Sequence, residues 1–363
     1  MENFELNPLV EPAVIWYEKN KRDLPWRRDN NPYHIWVSEI MLQQTRVEAV
    51  KGYYERFLHR LPTIEALADC PEDELLKLWE GLGYYNRVRN MQRAAKVIME
   101  SYNGQMPQDY EEILNLPGIG AYTAGAIASI AFQIPIPAVD GNVLRILSRV
   151  REDGEDIKKE GTKKRVTKEL LPFMPKNHPG SFNQAMMEIG ACVCVPNGEP
   201  LCHSCPWESM CLSHKHGTTD RFPVKSKPQK RRIEEKTVFL IVDGENLLIE
   251  KRPSKGLLAG LYQFPNVEGW VEREDAVAFA REKGLDPVFV EPLPEAKHIF
   301  SHIEWRMKGY LLKVSDFRGW KNEKEGKGIL ISKDEIRMEY AIPAAFETYA
   351  AYVNLPLGKK GFL

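Results

Sequence analysis

The stretch from Leu116 to Asn142, LPGIGAYTAGAIASIAFQIPIPAVDGN, restricts what this chain can fold into more than any other. Its head, Leu116-Pro117-Gly118-Ile119-Gly120, is a turn with two glycines one residue apart. A helical run from Asp109 precedes it, and a small, apolar run from Ala121 to Phe132 follows. Two helices joined by Gly-x-Gly make a helix-hairpin-helix candidate. Glycine allows positive φ and a close backbone approach to a partner. The free N–H groups opening the second helix suit a phosphate, so Gly118 and Gly120 are candidate phosphate contacts. At the far end, Val139-Asp140-Gly141-Asn142 sets a carboxylate just before another helix, Val143 to Val150.

At 363 residues and 43% hydrophobic, the chain has room for two domains with sizeable cores. Its net charge of −1 advertises no global nucleic-acid binding, so any such contact must come from local patches. The start, MENFELNPLVEP, has neither a basic opening nor a long apolar run, and no run of roughly eighteen apolar residues follows. A cytoplasmic protein is expected, with no membrane partner. Six cysteines without a secretion signal argue against a disulfide framework.

Before residue 235 the periodicity predicts helices and no convincing strand: 9–21, 34–46, 47–58, 63–68, 71–79, 86–102 and 110–116. Residues 1–220 therefore read as all-α. Residues 221–236 carry seven Lys or Arg against two Glu, with two prolines, and read as a basic linker. It is either a solvated tether or a segment reaching a phosphate backbone. Beyond it, 237–242 and 247–251 flank Asp243-Gly244-Glu245-Asn246 as a hairpin. A helix is expected over 276–283, strands over 288–290, 299–303, 308–314 and 328–331, and a closing helix over 342–353. This is a second, α+β domain, 237–363.

Two carboxylates carry the chemical reading. The run from His34 to Thr45 is a mostly apolar helix with one acid, Glu39, flanked on its face by Ile35, Leu42 and Gln43. Such a position raises an acid's pKa; the bland alternative is a buried ion pair with an arginine. Asp140 before Gly-Asn-Val reads as a helix N-cap, and a capping anion is expected to have a depressed pKa. One protonated acid and one anion suit acid-assisted cleavage of a glycosidic bond. Separately, Cys194, Cys202, Cys205 and Cys211 form C-x7-C-x2-C-x5-C, a metal-binding pattern that leaves an iron–sulfur cluster and zinc both open.

The motifs WVSEIMLQQT (36–45), GLGYYNRVRN (81–90), LPGIGAYTA (116–124), AVDGNV (138–143), the cysteines and FSH (300–302) together resemble the MutY-type adenine DNA glycosylases of the endonuclease III superfamily, iron–sulfur class. The resemblance runs along nearly the whole chain. It implies a multidomain protein: a helical barrel over 25–135, an iron–sulfur half built from 1–24 and 136–220, and a Nudix-like C-terminal domain. It implies a monomer acting at the nucleoid, bacterial-like, on double-stranded DNA with adenine opposite 8-oxoguanine or guanine. The adenine would be flipped out and hydrolysed from its sugar.

By position, Glu39 is similar to the acid that protonates adenine, and Asp140 to the carboxylate that stabilises the oxocarbenium. Tyr122 and Asn142 match residues bonded to these acids. Arg27 and Gln184 resemble adenine-pocket contacts. Gln44, Thr45, Leu82 and Tyr84 match residues that wedge the duplex and touch 8-oxoguanine, and Phe300, Ser301 and His302 match a loop that checks it.

Tyr122 stands where bifunctional relatives have a lysine nucleophile, so hydrolysis without strand cleavage is expected. The competing readings are a bifunctional pyrimidine-lesion glycosylase and a non-catalytic damage sensor. Arg281 stands where a Nudix hydrolase needs an acid, so the C-terminal domain should read a base rather than hydrolyse a nucleotide. The first cysteine gap is one residue longer than the family's usual spacing; a [4Fe–4S] cluster is still implied, with loop contact to phosphate in doubt.

Overall fold

The structure, a computed structural model, describes residues 5–227, 230–244, 246–318 and 328–357. The chain divides into two compact units, Met1–Asp69 with Asn90–Lys227, and Cys70–Arg89 with Pro228–Leu363. Among the described residues no helix is long and apolar enough to cross a membrane.

The first unit is helical. It holds α1 (Val10–Asn20), α2 (Pro32–Leu42), α3 (Val47–Arg60) and α4 (Ile64–Asp69). The segment that groups with the second unit contributes α5 (Glu72–Leu78), and the boundary falls within α6 (Asn86–Ser101). Then follow α7 (Tyr110–Leu114), α8 (Ala121–Ala131), α9 (Gly141–Arg151), α10 (Glu160–Leu170), α11 (Pro179–Cys192) and α12 (Leu212–His216). Starts are set by short polar caps. The Asn31 side chain takes the Tyr33 N–H ahead of α2 and Asp109 takes two N–H groups ahead of α7, each satisfying amides that the helix itself leaves unpaired. Helix α2 is buried from Tyr33 to Met41, except for partly covered His34, and α8 from Thr123 to Ile130.

One core joins Leu6, Leu9, Ala13 and Tyr17 to Val143, Ile146 and Leu147 of α9, to Phe182, Met186 and Ile189 of α11, and to Trp207. The extended segment between α8 and α9 is fixed by Asn183, which has no exposed surface. Its Oδ1 accepts the Ala138 N–H at 3.0 Å, and its Nδ2 donates to Ser129 Oγ at 2.8 Å and to the Ile136 carbonyl at 2.9 Å. These bonds set where the chain arrives at Asp140.

In the second unit β1 (Arg232–Asp243), β2 (Asn246–Lys251), β3 (Tyr262–Gln263), β4 (Asn266–Glu268), β5 (Pro287–Ile299), β6 (Ile303–Val314) and β7 (Gly328–Ser332) form one mixed sheet, with β1 parallel to β6. Its main path runs β3-β2-β1-β6-β5, with β4 on β1 and β7 on β2. Alternation along β1 sends Val238, Leu240 and Val242 to one face and Phe239 and Ile241 to the other. The second face is covered by α13 (Arg273–Glu282). The first is covered by α14 (Lys333–Glu339), α15 (Glu347–Ala350) and the short turns around it. Two covered faces explain why β1 reads as a continuous apolar run.

Several expectations are corrected. Residues 232–236 are not linker but the start of β1, laddered to 303–307, and Lys236 lies over the Trp305 ring at 5.1 Å. Linker residues Phe222, Val224 and Ser226 hydrogen-bond to α9 and to the loop before α10. Residues 299–303 are not one strand: Ile299 ends β5, Ile303 opens β6, and 300–302 form the turn between them. The expected closing helix is broken into α15 and two 3-10 turns. Helix α14 was not foreseen, although Ser332 and Glu335 spell a capping box. Residues 70–89 group with the second unit, for reasons given below.

Replacing Asn183 by alanine strands the Ala138 N–H and the Ile136 carbonyl in the interior. Chemical denaturation should show a loss of about 2–4 kcal/mol.

Candidate active site

Helix α2 brings Glu39 to a position where it is 6% exposed. Helix α8 starts at the hairpin turn, and its second residue, Tyr122, donates its hydroxyl to Glu39 Oε2 at 2.5 Å. That hydroxyl also lies 3.6 Å from Met187 Sδ. Burial pushes the Glu39 carboxyl up to about 7, against the Tyr122 hydrogen bond and the positive field of Arg27, and with help from the charge of Asp140. Burial and the two neighbouring carboxylates hold the Tyr122 phenol well above its ordinary range.

Asp140 caps α9. Its Oδ1 accepts the N–H groups of Asn142 at 2.9 Å and Val143 at 2.8 Å, and its Oδ2 accepts Asn142 Nδ2 at 2.7 Å. The expected depression of its pKa is not found. Desolvation outweighs these donors and Arg145, so the carboxyl is shifted upward. What separates the two acids is their donors: three N–H groups converge on Asp140, whereas Glu39 receives one phenol.

Behind Asn142, Arg145 Nη2 donates to Asn142 Oδ1 at 2.8 Å and to the Gly190 carbonyl at 2.7 Å, while its Nε donates to the Cys194 carbonyl at 2.9 Å. A Cβ on Gly190 would fall 2.6 Å from Asn142 Cβ, so α11 approaches this closely only as glycine.

Gln184 and Arg27 lie in the same unit. Tyr17 donates to Gln184 Oε1 at 2.9 Å, and the Arg27 guanidinium lies over the Tyr17 ring at 5.4 Å. Arg27 is held by Glu188, 1% exposed, at 2.7 Å, and Glu188 also takes Arg22 at 2.5 Å. Glu188 was not singled out from the sequence. It lies one helical turn beyond Gln184, which is the signal that could have found it. Those two guanidinium groups hold its carboxyl down at about 2, against the upward push of burial.

At the hairpin, Gly118 has φ +75°, and a Cβ there would fall 2.4 Å from Asn90 Cβ. Gly120 caps α8, with no side chain bonding the helix's first amides. Gln44, exposed with φ +58°, and Thr45 follow α2.

The remaining expected contacts lie in the second unit. Leu82 is buried at 6% exposure, whereas Tyr84 is 51% exposed with φ +48°. The Tyr84 hydroxyl is 3.1 Å from Ser301 Oγ. Phe300 sits edge-on between the rings of His298 and Trp305, leaving Ser301 and His302 exposed.

Cys194, Cys202, Cys205 and Cys211 line one pocket with Ile146, Val150, Val193 and Trp207. Arg149 Nη1 donates to Cys194 Sγ at 3.3 Å. Among the described residues no three His, Cys, Asp or Glu converge on a point that would hold a single ion.

Two family profiles match: an HhH-GPD superfamily base excision DNA repair protein over residues 37–172 and a NUDIX domain over 237–352. The chain is 38% identical over 297 residues to an adenine DNA glycosylase of Buchnera aphidicola subsp. Baizongia pistaciae, covering 81% of this chain and 82% of the relative. It is 36% identical to an adenine DNA glycosylase of Rattus norvegicus, covering 82% and 69%. A thermostable thymine-DNA glycosylase of known structure matches with TM-score 0.52 at 27% identity, covering 58% of this chain and 96% of that one.

Because the folded carboxyl of Glu188 is depressed, its contribution to stability is full above about 4.5 and is lost as pH falls toward about 2. Acid unfolding of Glu188→Gln should therefore be flatter across that window. At neutral pH the variant should be less stable by about 3 kcal/mol, the lower end for a broken buried pair because Arg22 is partly solvated.

Proposed function

The chain belongs to the adenine DNA glycosylases, base excision repair enzymes of the helix-hairpin-helix superfamily, and from that premise we propose that it hydrolyses adenine from opposite 8-oxoguanine or guanine without cutting the strand. The observation that carries the chemical reading is the pairing of Glu39 with Asp140. They are close enough to feel each other's charge, yet one is bonded by a phenol and the other by three N–H groups.

The flipped adenine enters beside Glu39. Poised at about 7, Glu39 holds a proton in a large fraction of molecules at neutral pH and passes it to a ring nitrogen of adenine. The electron pair of the C1′–N9 bond leaves with the base. Positive charge develops on the sugar, and the Asp140 carboxylate faces it. The upward shift that burial imposes on Asp140 is relieved once a cation arrives. Water adds to C1′ and its proton returns to Glu39, so the products are adenine and an abasic sugar. Arg27 and Gln184 orient the base. Tyr122 carries no amine and forms no imine with the sugar, which argues against lyase chemistry.

Tyr84 with Ser301 and His302, and Gln44 with Thr45, supply contacts to the opposite base and the duplex. Gly118 and Gly120 offer backbone to a phosphate. In the NUDIX-like domain Arg281, in the last turn of α13, leaves the domain to reading rather than hydrolysis.

The four cysteines fit a [4Fe–4S] cluster, since four thiols facing one apolar pocket match its cysteine ligation. When bound, such a cluster cross-links the end of α11 to the loop that follows.

Base release from an A:8-oxoguanine duplex at saturating enzyme should fall about tenfold per unit above pH about 7, as Glu39 loses its proton. Glu39→Gln should lose at least about a hundredfold; a fully active variant overturns the assignment. The abasic strand should stay intact until alkali is added. Purified protein should be brown with about four irons per chain; colourless, zinc-loaded, active protein removes iron from the account.

A further inference from the structure

A buried ion pair that no step above uses joins the 81–85 turn to helix α14 and the segment that leaves it. Lys77 of α5 and Glu80, just beyond it, meet at 2.7 Å with 11% and 4% of their side chains exposed. The ammonium donates to the carbonyls of Ile336 at 3.2 Å and Tyr340 at 3.0 Å, at the end of α14. Glu80 Oε1 accepts the Ile342 N–H at 2.9 Å. One charge of the pair thus caps a helix end and the other holds the strand-like exit from it.

For stability alone this is a poor arrangement, because removing two charges from water costs several kcal/mol and apolar residues of like volume often serve as well. What a buried pair supplies is a fixed position. Two further clamps act on the same segment. Asp73 takes Lys251 Nζ at 2.7 and 2.9 Å, and Arg89 donates to Glu72 at 2.7 Å and to the Ala259 carbonyl at 2.5 Å.

The turn between these clamps is strained. Gly81 and Gly83 have φ +91° and +69°, and Tyr84, a bulky residue, has φ +48°. Trp79 Nε1 donates to the Gly83 carbonyl at 3.1 Å, and Arg87 Nη2 donates to the carbonyls of Leu82 and Gly83 at 3.0 and 3.1 Å. Such a conformation persists only where its surroundings over-determine it, and it marks functional turns. Its exposed product is the Tyr84 ring, hydroxyl against Ser301.

We propose that Lys77 and Glu80 are positioning residues for recognition of the base opposite the excised adenine: they fix the 81–85 turn to α14 and its exit so that Tyr84 and the 300–302 turn meet the duplex as one surface. This rests on the opposite-base reading given above.

The test uses the full chain and duplexes with a non-cleavable adenine analogue opposite 8-oxoguanine or guanine. Lys77→Met keeps length and removes charge. It should weaken binding opposite 8-oxoguanine about tenfold and opposite guanine less than about threefold. Single-turnover adenine release at saturation should stay within about threefold. Amide exchange in free protein should accelerate over 79–87 and not only over 333–342.

Asp73→Ala, at a half-exposed site that tolerates change, covers the case where Lys77→Met does not fold, and should lose about threefold in discrimination. A folded Lys77→Met with parental discrimination, or faster exchange confined to α14, overturns the proposal. If the parent chain itself binds both duplexes equally, the opposite-base reading fails and recognition goes with it; exchange over 79–87 then decides alone whether the pair fixes the turn.

Discussion

Everything in the first unit answers to one constraint, the removal of Glu39 from water. A carboxyl that keeps its proton to about pH 7 has lost roughly 3 kcal/mol of its preference for the charged form. That loss is useful only if nothing nearby restores the charge. Arg27 is the cation that would, and Glu188 occupies its guanidinium. Helix α2 supplies the apolar walls and Tyr122 supplies a hydrogen bond that carries no charge. The acid is therefore weak by construction, at some cost to the stability of the helix that bears it.

Asp140 meets the same desolvation with a different answer. Its cap donors belong to the backbone of α9, whose position is fixed by Asn183 upstream and by the Gly190 approach of α11 behind Asn142. Arg145 then ties Asn142 to the carbonyls of Gly190 and Cys194. A shift of α11 or of the cysteine loop would thus be felt at the Asn142 amide, and through it at the carboxylate.

The parts legible in the sequence were those encoded locally. The Gly-x-Gly turn, a lone acid in an apolar helix and an Asp before Gly-Asn each state their conformation within a few residues. What depended on distant partners was not legible. Glu188 looks like any helical glutamate until Arg22 and Arg27 arrive from the other end of the chain. The direction of the Asp140 shift needed its burial, which a cap motif does not reveal. Arg232 to Lys236 read as part of the linker because their ladder partner, β6, lies some seventy residues on. Lys77 and Glu80 were not singled out, because the groups that bury them, on α14 and just beyond it, lie some 260 residues on.

Adenine is a normal base, so a pocket that recognises adenine alone has no means of sparing it opposite thymine. On the proposed reading, selectivity must come from side chains that touch the other strand, and besides Gln44 and Thr45 those lie on two turns, at 81–85 and 300–302. The first interrupts the helical sequence between α4 and α7, yet its polar clamps go to β2, α14 and the chain around Ala259. On that reading the chain leaves the unit that carries Glu39 and Asp140, contributes α5 and the 81–85 turn to the unit that carries the 300–302 turn, and returns, so the turn proposed to check the base is covalently continuous at both ends with the unit proposed to do the chemistry.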